Sequence, residues 1–103
     1  MAHDTHIYGE VTSKASLKKI FTEIRHEVEK ANSRPDLTKL SKRAGYFITL
    51  THAPAWAEKF GRELGALRKV AQEEFGTTAR TINHRATQIR TEADYDETWG
   101  EKA

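Results

Sequence analysis

Residues 16–31 read Ser16-Leu17-Lys18-Lys19-Ile20-Phe21-Thr22-Glu23-Ile24-Arg25-His26-Glu27-Val28-Glu29-Lys30-Ala31. The apolar side chains Leu17, Phe21, Ile24, Val28 and Ala31 recur at alternating intervals of four and three, with Ile20 widening the line. That interval places them along one face of an α-helix, because 3.6 residues complete a turn. The same pattern recurs three times downstream. Leu37, Leu40, Ala44, Phe47 and Thr51 form a second line, Ala57, Phe60, Leu64, Leu67 and Ala71 a third, and Ala79, Ile82, Ala86, Ile89 and Ala93 a fourth. Tyr46–Thr51 is rich in aromatic and β-branched residues, but no second run of that kind exists to pair with it, so it is read as helix.

Breaks fall between the lines. Asn32-Ser33-Arg34-Pro35-Asp36 separates the first two, with Ser33 or Asp36 available as an N-cap. His52-Ala53-Pro54 separates the next two, since proline suits a first helical turn and disfavours helix in the residue before it. Gly76-Thr77-Thr78 is read as the end of the third helix and the cap of the fourth. Short connections favour antiparallel neighbours. The expected fold is therefore all-α, a small four-helix antiparallel bundle completed by dimerisation. The expected organisation is a mobile N-terminal segment (1–12), a bundle domain (13–94) and an acidic C-terminal tail (95–103).

Composition supports a partner subunit. The chain has 103 residues, of which 37% are hydrophobic and 31% charged, so little apolar surface is available to build a self-sufficient core. It has no cysteine, which excludes disulfides, thiolate nucleophiles and cysteine zinc sites. The first fifteen residues lack the apolar stretch of a signal peptide, and the longest apolar run, near Tyr46–Leu50, is far too short to span a membrane. A cytoplasmic location is the expectation. The net charge of +2 conceals a segregation: residues 11–91 hold 16 Lys/Arg against 8 Asp/Glu, whereas Glu92, Asp94, Asp96, Glu97 and Glu101 face only Lys102 beyond them. A basic body with an acidic tail suits nucleic-acid contact or self-masking. A solvated helical bundle shows the same pattern, and that is the plainer reading.

Ala53, Ala57, Gly61 and Gly65 lie four apart, a row of small residues that would let another helix approach closely. Ala57, Gly61 and Gly65 are accordingly the candidate helix-packing positions. Two interior glycines cost roughly 1 kcal/mol each relative to alanine, a cost that close packing would offset. Glu23 and His26 form a Glu-x-x-His, the spacing that brings two metal ligands onto one helical face. No second copy exists, so the pair is read as surface. His3, His6 and His52 sit in the irregular start or at a helix junction, and no nucleophile–base pair or phosphate-binding glycine loop is present. No catalytic residue, metal or cofactor is expected, and the chain is read as non-enzymatic.

Residues Phe75 to Thr91 contain no acid. They carry Arg80, Asn83, His84, Arg85 and Gln88, donor-bearing side chains of the kind that contact phosphates and base edges. Val70 to Ile82 resembles a helix-turn-helix unit, with small Ala71, turn glycine Gly76 and β-branched Ile82. The resemblance implies a recognition helix over 79–89 that would present Arg80, Asn83, His84 and Arg85 to a nucleic acid. It covers about a quarter of the chain and departs from the motif at two points. Four residues rather than three separate Ala71 from Gly76, and Thr77 stands where an apolar residue is usual. A plain antiparallel hairpin accounts for both departures. The leading expectation is thus an interaction or scaffold protein whose partner is itself or another protein. A helix-turn-helix-like regulator of nucleic acid is the alternative, and neither a membrane nor a small-molecule ligand is implied.

Overall fold

The computed structural model describes residues 11–98, and it is all-helical, with no strand among the described residues. Helix α1 spans Lys14–Lys30, α2 spans Arg34–Leu50, α3 is a seven-residue helix at Pro54–Phe60, and a 3-10 turn at Gly61–Glu63 leads into α4, Leu64–Thr98. None of these helices is long and apolar enough to cross a membrane.

Local chemistry accounts for the starts of the first two helices. Ser13 caps α1: its Oγ accepts from the Ser16 amide while Ser16 Oγ accepts from the Ser13 amide, a reciprocal pair that satisfies two otherwise orphaned donors. Ser33 caps α2 by accepting from the Asp36 amide, with Pro35 in the first turn and Asp36 placed favourably for the helix dipole. Tyr46–Leu50 is helical, as expected.

The core is where the lines converge. Leu17, Phe21, Ile24 and Val28 of α1 and Leu37, Ala44, Phe47 and Leu50 of α2 are buried against Leu64, Leu67, Val70 and Ala71 of α4. The rings of Phe21 and Phe47 pack at 5.8 Å between centroids. Val11 is fully buried, and its carbonyl accepts from Lys59 Nζ, so the stretch expected to be irregular up to residue 12 reaches the core at its end. Residues 1–10, including His3 and His6, and residues 99–103 lie outside the described residues.

The helix boundaries of the second half differ from the expectation at two glycines. The break expected at Gly76 is absent: α4 runs through Gly76-Thr77-Thr78 as one 35-residue helix. Each threonine finds a partner inside a helical path. Thr77 Oγ1 donates to the Glu73 carbonyl at 3.2 Å, and fully buried Thr78 accepts from Arg25. A single interior glycine costs about 1 kcal/mol, less than the burial of the flanking apolar face provides.

The break appears instead at Gly61, inside what reads as one helix. Trp56 rather than Ala57 is buried, and it packs edge-on against Phe60 at 5.1 Å. The chain turns at Gly61, which has φ 52° and ψ −118°, a conformation that only glycine adopts without strain. The four comparable helices expected are therefore three long helices and one short one.

The polar contacts fix the helix directions. Arg25, midway along α1, donates to Glu74 and Thr78 of α4, and the Ala31 carbonyl just beyond α1 accepts from Arg85. Helices α1 and α4 are thus parallel. The Thr51 carbonyl at the end of α2 accepts from Arg68 near the start of α4, so α2 runs antiparallel to it.

Two substitutions test this architecture. Gly76→Ala should raise stability by about 1 kcal/mol in urea unfolding, because the added methyl would find only the Arg80 side chain, at 3.9 Å. Gly61→Ala should lower it by about 1–3 kcal/mol through backbone strain. A turn at Gly76 would reverse the first sign.

Candidate interaction surfaces on the long helix

Helix α4 has two faces with opposite chemistry. Its inner face carries Leu64, Leu67, Val70, Ala71 and Thr78, all buried, followed by Ile82, Ala86 and Ile89, which are only half-covered by the core. The loss of cover has a simple cause. Helix α1 ends and α2 begins at the 31–33 turn, which Arg85 touches, whereas α4 continues to Thr98. At 1.5 Å per residue the helix outruns that turn by roughly 20 Å. Beside the turn lies a groove lined by Glu27, Lys30, Ala31, Asp36, Lys39 and Leu40.

The outer face carries Lys69, Gln72, Glu73, Arg80, Asn83, His84, Thr87 and Thr91, all exposed, at helical intervals of three and four. Glu73 is the one acid on this face between residues 65 and 91, since Glu74 turns inward to form a 3.1 Å ion pair with Arg25. His84, Arg85, Thr87, Gln88 and Thr91 line a shallow groove along the helix. Gln88 links two of them: its Oε1 accepts from Arg85 Nη1 at 3.2 Å, and its Nε2 lies 3.4 Å from His84 Nε2. The stretch belongs to one continuous helix whose opposite face packs toward α1 and α2.

The five residues expected at a nucleic-acid contact therefore share one helix but not one role. Arg80, Asn83, His84 and Gln88 are exposed. Arg85 is half-buried, and its Nε donates to the Ala31 carbonyl at 3.0 Å, filling an acceptor that the end of α1 leaves open. The helix-turn-helix resemblance is overturned: with no turn at Gly76, no second helix crosses the first, and the proposed recognition helix is the continuation of the helix it should cross.

The small-residue row is dispersed as well. Ala57 lies on α3, Gly61 at its end and Gly65 in the first turn of α4, all exposed. A Cβ added at Gly61 or Gly65 would meet nothing within 4 Å, so no other part of the chain approaches there. The glycine nearest another helix is Gly45 of α2, where an added Cβ would lie 3.9 Å from the Phe75 ring of α4. Its signal in the sequence is the small Ala44-Gly45 pair on the helix between Leu40 and Phe47. Glu23 and His26 are both exposed on α1, and no cluster of three or more metal-ligating side chains occurs among the described residues. In the sequence Arg25 reads as the exposed i,i+4 partner of Glu29, whereas it pairs with Glu74; nothing in the spacing of Arg25 or Arg68 separates these joining residues from other surface cations.

The chain matches no protein-family model, no curated protein and no solved structure.

Substitutions should separate the joining arginines from the exposed ones. Arg25→Met strands the Thr78 hydroxyl and Glu74 and should cost about 1–3 kcal/mol, and Arg85→Met about 1 kcal/mol. Arg80→Ala and Arg90→Ala should each stay within about 0.5 kcal/mol of the parent in urea unfolding.

Proposed function

We propose that this chain is a non-enzymatic helical assembly protein that associates with a second copy of itself through the C-terminal half of α4. The observation that carries this reading is the length of α4 beyond the turn that joins α1 to α2. In proteins most helical stability comes from packing an apolar face, so a partner packed on the stretch that outlasts its neighbours would stabilise it. The half-covered Ile82, Ala86 and Ile89 continue in the sequence to Ala93 at the same spacing. They supply an apolar seam of the kind that pairs helices.

Charge selects the partner and its direction. Arg80, Arg85 and Arg90 precede Glu92, Asp94, Asp96 and Glu97 along one helix. Antiparallel pairing of two such segments sets the acidic end of each beside the basic stretch of the other, whereas parallel pairing sets like against like. The non-enzymatic part of the reading rests on the histidines among the described residues: His26, His52 and His84 are exposed and lie at separate places in the fold.

Light scattering on the full chain should give about twice the 11.7 kDa chain mass at roughly 100 μM. Ile89→Asp should return a single-chain mass with the remainder of the fold intact. A parent protein that scatters as one chain at that concentration overturns the reading.

A further inference from the structure

We infer that the outer face of α4, from Lys69 to Thr91, is a docking surface for duplex DNA. This surface lies opposite the apolar seam and does not depend on self-association. Within it Arg80, Asn83, His84, Gln88 and Arg90 are exposed donors on a run of residues, Phe75 to Thr91, that contains no acid. Gly76, Thr87 and Thr91 are short and let a partner approach the helix closely, and the threonines add hydroxyls; Lys69, Gln72 and the face's one acid, Glu73, lie on the turns before them. Arg85 is a positioning residue. Its Nε is committed to the Ala31 carbonyl, and its Nη1 holds the Gln88 amide, which in turn lies beside His84.

The charge, the side-chain types and the shape each narrow the ligand. The 16 Lys/Arg against 8 Asp/Glu in residues 11–91 give the body a field that attracts a polyanion. Phosphates accept from arginine, lysine, threonine and asparagine, the types present here. A single-stranded nucleic acid is held chiefly by stacking on aromatic side chains, and this face carries none: Phe75 points inward to Gly45. An A-form RNA duplex has a major groove too narrow for a helix, whereas the B-DNA groove, about 12 Å wide, admits one. The bundle packs on the opposite face of α4, so the outer face can lie along the phosphate edge of that groove without the bundle colliding.

The test is fluorescence anisotropy with the full chain and a labelled mixed-sequence DNA duplex of about 20 base pairs, at about 50 mM and 200 mM salt. Micromolar binding is expected at the lower salt, weakening steeply at the higher. Replacing both Arg80 and Arg90 with alanine should weaken binding at least about 10-fold and reduce the slope of log affinity against log salt by about 2. A control with Lys14→Ala and Lys18→Ala, exposed cations on α1, removes the same charge and should change affinity by less than about 3-fold. The inference is overturned if no complex forms at the lower salt with tens of micromolar protein. It is equally overturned if the two double variants lose affinity alike, or if single-stranded DNA or duplex RNA binds as tightly as duplex DNA.

Discussion

An α-helix leaves its last carbonyls without partners, and in this fold α4 supplies one donor to the end of each shorter helix. Arg68 Nε reaches the Thr51 carbonyl at 2.9 Å, and Arg85 Nε reaches the Ala31 carbonyl at 3.0 Å. Because α1 and α2 run in opposite directions, those two ends lie at opposite ends of the bundle. Each shorter helix has 17 residues, and Arg68 and Arg85 are also 17 residues apart along α4. Both lengths come to about 26 Å at 1.5 Å per residue. The match holds only if α4 is straight between the two arginines. Continuity through Gly76 is thus a geometric requirement of the packing, with the Arg25–Glu74–Thr78 contact set between the two caps to hold α1 in register.

Why the helix breaks where it does was only partly readable in the sequence. The first two apolar lines, their Ser and Pro boundaries and the helical state of Tyr46–Leu50 were legible, because periodicity and capping act within a few residues. The second half was misread at both glycines. Gly76-Thr77-Thr78 has the local chemistry of a helix end, and only a partner on another helix, Arg25, makes Thr78 a buried helical residue. Gly61 lies within an unbroken three-four line, and nothing in that spacing marks the positive φ at which the chain turns. Both errors have one source: a glycine's role depends on what is packed around it, and tertiary contact overrides local preference.

The candidate surfaces divide along the same line. That Arg80, Asn83, His84 and Gln88 are exposed followed from their spacing against Ile82, Ala86 and Ile89, which a helical wheel alone provides. That Arg85 belongs to the scaffold did not, since the acceptor it fills sits on a different helix. A basic stretch in a sequence combines charges that hold the protein together with charges available to a partner. Only contacts of the kind Arg25, Arg68 and Arg85 make can sort them.

That sorting bears on how the two surfaces of α4 could operate together. The apolar seam and the donor face lie on opposite sides of one helix, yet they share charge: an antiparallel partner sets its acidic end beside the stretch that holds Arg80 and Arg90 and competes there with phosphate. In an antiparallel pair the two donor faces would be related by a twofold axis and carried on helices pointing in opposite directions. Each donor face lies opposite its own seam, so the two faces point away from one another and do not meet one duplex together. Self-association would then add no second contact to a bound duplex. Straightness of α4 is the shared condition, because a bend at Gly76 would separate Lys69 from Arg80 on one face and Leu67 from Ile82 on the other.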